Sequence, residues 1–312
     1  MFFAQVLNQM IILFILLIVG FILQKFNILG ENAPKSFTSL ILKVTLPAMI
    51  IVSMSGMQFS PELLLKSGKI LLISFSSYFI LILLSYPFAR LLFVSQEDAG
   101  IYRFSIIFSN VGFIGYPVTE AVFGKNAIFY TAILNLPFNL LAFTVGIIIL
   151  LQGRKEHKIG VDIKHFLNPV VVSILIGFGL FLFNIKLPNV IQGSLDMLGG
   201  VTSPISMIVI GMLLARGDWG KVFLNFRLYM LSFFRLIVVP FATFFALRLF
   251  SNDIYLTAVP AMISAMPAAA NTVLLAEEYN ANAELASQAV FLTTLLSVAT
   301  IPIFAIIVMG MK

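Results

Sequence analysis

Two short stretches combine helix-breaking residues with amide side chains inside apolar sequence. The first is Phe108–Pro117, which contains Asn110 and Gly112. The second is Ser264–Asn271, which contains Pro267. A helix break at membrane depth is tolerated only where the freed backbone groups face protein or a water-filled cavity. Such breaks mark the binding sites of many secondary transporters, so the two stretches predict a small-molecule site.

The expected chemistry is anion binding at two helix N-termini. We expect half-helices to begin near Pro117 and Pro267, because proline suits the first turn of a helix. Each helix N-terminus carries about half a positive elementary charge and free N–H donors. Asn110 and Asn271 would add amide donors, and Gly112 would let a ligand approach the backbone closely. The alternative is that the glycines are packing contacts and the prolines only kink two helices.

Other polar residues lie inside apolar runs. Glu120 is either a proton carrier or cation ligand, or an acid that pairs with a helix dipole or lies near the outer interface. Arg235 either holds a substrate carboxylate or balances Glu120, or it is a snorkelling or structurally paired arginine. Asn135 and Asn139, four residues apart, either line the cavity or join helices by hydrogen bonds.

The composition is that of an integral membrane protein. The chain has 312 residues, of which 60% are hydrophobic and 10% charged, and its mean hydropathy is +1.07. Ten membrane spans of about 20 residues or more, together with short loops, would use the whole chain and leave no room for a soluble catalytic domain. The sequence contains no cysteine and none of the common nucleotide, metalloprotease or hydrolase motifs, so we expect neither an enzyme nor a cofactor. The net charge of +6 is attributed to cytoplasmic loops, and no nucleic-acid partner is expected.

Ten apolar segments are predicted to span the membrane. They run approximately over 5–23, 36–54, 69–93, 101–123, 127–151, 167–183, 191–215, 222–250, 254–276 and 285–309. A polar connecting loop at 152–166 separates a first five-helix repeat, 1–151, from a second, 167–312.

Short matches between the two halves indicate an internal duplication. Val44-Thr-Leu-Pro47 matches Val201-Thr-Ser-Pro204, and the drifting offset then aligns Pro117 with Pro267. In this alignment Glu120 has an apolar counterpart, Ala270. Five spans is an odd number, so the second copy must be inverted relative to the first. Lys and Arg are more frequent in the loops that lie inside when both termini are outside, which is the predicted orientation.

The sequence resembles the auxin efflux carrier family, which includes plant auxin carriers and bacterial permeases for malate, malonate and related organic acids. The most specific matches are Ser109–Pro117, Asn135–Asn139, Met266–Thr272 and Thr293–Ser297. The resemblance implies an all-α protein of ten transmembrane helices in two inverted repeats, with broken helices 4 and 9 crossing at mid-membrane. It also implies a scaffold of helices 1, 2, 6 and 7 and a transport domain of helices 3–5 and 8–10. The short loop at 152–166 fits the bacterial branch.

The expected function is secondary transport of a small organic anion, a mono- or dicarboxylate such as malate, across the plasma membrane by an elevator-type motion. The resemblance places the crossover prolines and asparagine at Pro117, Pro267 and Asn110, with Asn271 as the second amide. The alternatives are a sodium-coupled symporter of the bile-acid type and a non-transporting membrane sensor or pore. Besides the anion and the lipid bilayer, the possible partners are a coupling proton or sodium ion and a second copy of the chain.

Overall fold

The computed structural model describes residues 2–153, 168–216 and 219–311, and within these ranges the secondary structure is helical, with one isolated β-bridge and no strand. Five helical segments are long and apolar enough to cross a membrane: Ala33–Ser55, Pro61–Leu91, Asn189–Ala215, Phe226–Arg248 and Ala283–Gly310. Five shorter helices are also apolar: Ile11–Lys25, Val111–Phe123, Asn126–Ala142, Pro169–Leu182 and Ile254–Ser264. The prediction of a multi-pass α-helical membrane protein is confirmed at this level.

Residues 2–153 form eight α-helices and two π-helical turns. The α-helices are α1 (Phe2–Lys25), α2 (Ala33–Leu40), α3 (Leu46–Ser55), α4 (Pro61–Leu91), α5 (Gln96–Ile107), α6 (Tyr116–Phe123), α7 (Asn126–Ala142) and α8 (Val145–Leu150). The π-helical turn Ile41–Thr45 joins α2 to α3, and the turn Val111–Gly115 leads into α6. The segment predicted as one span at 127–151 is therefore two helices.

The second half repeats this pattern of interrupted helices. Its helices are α9 (Pro169–Leu182), α10 (Asn189–Gly200), α11 (Thr202–Ala215), α12 (Trp219–Val222), α13 (Phe226–Phe233), α14 (Val239–Arg248), α15 (Ile254–Ser264), α16 (Asn271–Glu278) and α17 (Ala283–Gly310). The π-helical turn Phe234–Val238 joins α13 to α14. Most of the predicted connecting loop at 152–166 lies outside the described residues.

Capping side chains fix where several helices begin. The Ser60 hydroxyl accepts a hydrogen bond from Leu63 N–H at the start of α4, and Asn168 does the same for Val171 at the start of α9. Such caps satisfy N–H groups that would otherwise lack partners at a helix start. Polar residues therefore set the beginnings of these apolar helices.

The most extensive contacts between the described helices divide into two groups. In the first group, α1 lies along α11, and α3 packs against α9 and α10. A Cβ at Gly20 would overlap the backbone of Ile208, and one at Gly211 would overlap the Leu17 carbonyl, so only glycine permits the α1–α11 contact. In the second group, α4 packs against α5 and α7, α6 against α7, α13 and α16 against α17, and α14 against α15.

Polar contacts sort the loops into two ends of the molecule. At one end, here the Lys125 end, the contacts are Lys66–Asp253, Lys125–Asp196, Ser53–Lys125 and Arg248–Met311. At the other, the Gln152 end, they are Arg103–Gln152, Asn282–Asp98, Arg227–Phe93 and Arg216–Glu31. The two sets alternate along the chain, as expected for a chain that crosses back and forth.

Candidate functional site

The two predicted breaks meet in the structure. The Asn110 N–H donates a hydrogen bond to the Pro267 carbonyl at 2.8 Å, and the Ala269 N–H donates to the Phe108 carbonyl at 3.0 Å. The connection between α5 and the π-helical turn thus pairs in antiparallel fashion with the connection between α15 and α16. Backbone groups freed by one break are satisfied by the other, as burial requires.

The positions at which the half-helices begin differ from the prediction. The Asn110 side-chain oxygen accepts a hydrogen bond from the Phe113 N–H at 3.2 Å, so Asn110 is the N-cap and the helical turn begins at Val111. Pro117 lies beyond that turn, near the start of α6. Pro267 lies in the non-helical connection before α16. The first half-helix thus begins at Val111, six residues before Pro117, because a capping asparagine starts it earlier, and the second begins at Asn271, four residues after Pro267.

The predicted equivalence of the two prolines is also wrong. One proline is inside the helix that follows the first break, whereas the other belongs to the second break itself. The structure instead pairs Ser109 with Ala268 across the junction. The prediction that Ala270 is the counterpart of Glu120 depended on the proline alignment and is wrong for the same reason.

Several donors at this junction have no acceptor among the described residues. They include the backbone N–H groups of Gly112, Ala270 and Asn271. The Asn110 side-chain nitrogen is also without a partner, although the residue is only 3% exposed. A Cβ at Gly112 would have only Leu42 within 4 Å, so packing does not require glycine there. Unpaired donors at two helix N-termini favour a negatively charged ligand.

Arg235 joins the opposite ends of the two breaks. Its Nε donates to the Met266 carbonyl at 3.0 Å, just after α15, and its Nη1 donates to the Ile106 carbonyl at 2.8 Å, near the end of α5. Helix C-termini carry partial negative charge, so one buried guanidinium neutralises two of them. Its Nη2 has no partner among the described residues and lies beside a cavity of about 40 Å³ that Tyr78 also lines.

These contacts favour one of the interpretations of Arg235. Arg235 is 1% exposed and bound to backbone carbonyls, which is the structurally paired alternative. It does not balance Glu120, whose carboxylate instead accepts a hydrogen bond from the Ser203 hydroxyl at 2.7 Å. The sequence could not reveal these hydrogen bonds, because the two carbonyls that Arg235 binds belong to two distant segments of the chain.

Glu120 lies on a cavity at the Lys125 end. The cavity has a volume of about 590 Å³, and its lining includes Gln9, Pro117, Lys125 and Tyr255. Asn110 and Asn271 are not among the lining residues. The structure therefore places Pro117 and Glu120 together on this cavity, and places Asn110 with Pro267 at the junction of the two breaks.

The two asparagines of α7 make hydrogen bonds within the protein. Asn139 donates to the Asn135 carbonyl at 2.9 Å and accepts from Asn168 at 3.0 Å, which ties α7 to the start of α9. The Asn135 side-chain nitrogen lies 3.4 Å from the Tyr116 hydroxyl, and its oxygen is buried without a partner. Asn139 thus joins helices, whereas Asn135 retains one unused acceptor next to α6.

Four buried hydroxyls were not predicted as candidate residues from the sequence. Thr45, Ser105, Thr202 and Ser206 are each at most 2% exposed, and none has a hydrogen-bond partner among the described residues. Thr45 and Thr202 are the equivalent threonines of the repeated Val-Thr-x-Pro sequence. The Val-Thr-x-Pro match that indicates the duplication also places these two threonines at corresponding positions of the two halves. That match is the sequence signal by which both threonines could have been found.

The chain matches a family of known proteins over nearly its whole length. A family model described as "Membrane transport protein" covers residues 5–305. An uncharacterized transporter of Methanocaldococcus jannaschii is 25% identical over 97% of this chain and 99% of its own length. One from Methanothermobacter thermautotrophicus is also 25% identical, over 94% of this chain and 95% of its own length.

A further relative carries a substrate in its name. It is a Rhizobium meliloti protein, proposed by its name as a malonate transporter, which is 22% identical over 65% of each chain. Its match covers less of the chain than the other two matches, so the substrate in its name enters only the proposed function below. The family match confirms the resemblance read from the crossover motifs, and this chain belongs to the membrane transport protein family, the auxin efflux carrier family, as a multi-pass membrane transporter.

Proposed function

We propose that this protein is a secondary transporter of a small organic anion, with the substrate bound at the junction of the two breaks. The observation that carries the proposal is the set of unpaired donors at Asn110, Gly112, Ala270 and Asn271. Two helix N-termini supply about one positive charge in total at that place. The guanidinium of Arg235 offsets the opposite helix ends, so the positive ends remain available to a carboxylate.

We propose an elevator-type motion in which the first helix group serves as the scaffold and the second group, which contains both breaks, serves as the transport domain. Glycine contacts lock α1 to α11 within the first group, which suits a rigid scaffold. Polar contacts between the groups include Glu120–Ser203, Lys125–Asp196 and Asn139–Asn168, and the proposed motion exchanges such contacts.

The membrane potential constrains the direction of transport. Moving one negative charge outward releases about 2.3 kcal/mol per 100 mV when the inside is negative. Export of a monoanion therefore needs no coupling ion. Uptake of a dianion must overcome about twice that energy, so it requires protons or cations. In that case we propose Glu120 as the proton-carrying group, because its carboxylate lies on the same cavity as Pro117.

The test is substrate binding followed by transport. Purified protein is screened for thermal stabilisation by malonate, malate and monocarboxylates, and stabilising acids are then used in radiolabelled uptake by proteoliposomes. Asn110→Ser keeps a capping oxygen but removes the side-chain nitrogen. Because a hydrogen bond to a charged group contributes about 1.5–3 kcal/mol, we expect affinity to fall about 10- to 100-fold. Asn189→Ser, at an exposed helix start, is the control.

The outcomes separate this proposal from its alternatives. Saturable counterflow of the labelled acid supports a carrier and contradicts a pore. Uptake that requires sodium would instead establish the symporter alternative. Wild-type affinity in Asn110→Ser would remove the junction as the substrate site, even if transport itself is observed.

A further inference from the structure

A basic pocket lies at the Gln152 end, apart from the junction and the Glu120 cavity. It has a volume of about 360 Å³ and is formed where α4 ends and α5 begins. Its polar lining consists of Arg90, Gln96, Arg103 and Gln152. Neither arginine has a carboxylate partner among the described residues. Among the described residues, the lining of the pocket thus contains two positive charges and no carboxylate.

Arg103 is held in place with part of its guanidinium unused. The group lies over the Tyr86 ring, 4.4 Å from the centroid, and its Nη1 donates to the Gln152 side-chain oxygen at 2.6 Å. Its Nε is buried and has no hydrogen-bond partner among the described residues. Arg90 is exposed and close enough for the two guanidinium groups to repel each other. A shared anion would remove that repulsion.

An apolar groove begins beside this pocket. It lies between α4 and the α13–α14 segment, has a volume of about 920 Å³, and its lining is almost entirely hydrocarbon. Along α4 it extends from Leu72 to Leu91, which is about 28 Å of helix. Arg90 follows the groove residue Pro87 by three positions, so it lies at the margin of the groove on the helix surface.

We propose that Arg90 and Arg103 bind the phosphate of an anionic phospholipid whose acyl chain lies in this groove. Guanidinium groups bind phosphate through paired N–H donors, and two of them converge here. The Gln152 end is the predicted cytoplasmic end, and the cytoplasmic leaflet carries anionic lipids that basic pockets between helices recognise. The groove is the reason for choosing a lipid over a soluble phosphate, because a soluble ligand would leave it unused.

The experiment compares ligands on delipidated, purified protein. Phosphatidylglycerol, phosphatidylcholine and soluble glycerol phosphate are added separately, and binding is followed by thermal shift and by native mass spectrometry. We expect selective binding of phosphatidylglycerol, with at least a tenfold loss of affinity in Arg90→Gln and a larger loss in Arg90→Gln/Arg103→Gln. Arg216→Gln, at the same end but hydrogen-bonded to the Glu31 carbonyl, is the matched control and should bind normally.

Three outcomes would overturn the proposal. These are equal affinity for phosphatidylglycerol and phosphatidylcholine, equal stabilisation by glycerol phosphate and by the lipid, and an unchanged affinity in Arg90→Gln. Because Arg90 is exposed and makes no hydrogen bond with the described residues, its substitution should not disturb folding. Arg103→Lys gives a second check, since it keeps the charge but loses the planar fork and should bind with intermediate affinity.

Discussion

The Glu120 carboxylate accepts a hydrogen bond from the Ser203 hydroxyl at 2.7 Å, and this bond joins α6 of the second helix group to α11 of the first. It lies on the cavity at the Lys125 end. A displacement of one group along the other must break it. The bond therefore favours the state in which this cavity is present.

Ser203→Ala should shift the protein away from that state. The bond involves a charged acceptor but is partly exposed, so we expect a change of about 1 kcal/mol, or roughly fivefold in the population ratio. The chain has no cysteine, so Ala121→Cys, on the cavity lining, provides a single labelling site. Ser203→Ala should slow its modification by a water-soluble maleimide. The control is Ser194→Ala, whose hydroxyl bonds within its own helix; equal rates in both variants would contradict a role for the bond.

Glu120→Gln should remove proton coupling if this carboxylate carries the proton. The amide keeps the size of the side chain and can still accept a hydrogen bond from Ser203, but it cannot ionise. We expect acid-stimulated uptake into proteoliposomes to become independent of the pH gradient, while counterflow at equal pH continues. Unchanged acid stimulation in this variant would exclude Glu120 as the proton carrier.

Arg235→Met should strongly destabilise the protein. The substitution removes two charge-assisted hydrogen bonds and leaves the Ile106 and Met266 carbonyls buried without these donors. At about 1.5–3 kcal/mol for each bond, the expected loss is about 3–6 kcal/mol, measured as thermal stability in detergent. Arg248→Gln, which removes an exposed donor to the Met311 carbonyl, should have little effect.

The conservative variant separates structure from binding at this position. Arg235→Lys keeps the charge but cannot donate through the planar fork to two carbonyls at once. We expect a smaller loss of stability and unchanged anion affinity in the folded fraction. A stable Arg235→Lys protein that no longer binds the anion would identify the guanidinium as a substrate ligand.

Two glycine substitutions should affect different properties, one the stability of the protein and the other its transport activity. A Cβ at Gly100 would overlap the Leu150 carbonyl, so Gly100→Ala should lower thermal stability by at least about 1–3 kcal/mol. At Gly112 the added methyl meets only the end of Leu42, so Gly112→Ala should fold normally. Its methyl would stand beside the unpaired N–H groups, and we expect transport to fall while stability is retained. Normal transport by Gly112→Ala would argue against ligand contact there.

The sequence was sufficient to locate both breaks, because glycine, asparagine and proline interrupt apolar runs there. It was insufficient to place the helix starts. Asn110 and Pro117 are both valid start signals, and the asparagine prevails because its oxygen satisfies the Phe113 N–H. The hydrogen-bond partners of Arg235 could not be predicted either, since the Ile106 and Met266 carbonyls lie 129 and 31 residues away in sequence. Such contacts depend on packing that local patterns do not encode.

The pairing of Ser109 with Ala268 also affects the order of events during biosynthesis. The two residues are about 160 positions apart, so at about 5–20 residues per second a ribosome needs about 10–30 s to supply the second. During that time the Asn110 N–H and the Phe108 carbonyl lack their later partners. Water or the insertion machinery must solvate them meanwhile, and the first half of the chain remains incomplete within the membrane until the second half has arrived.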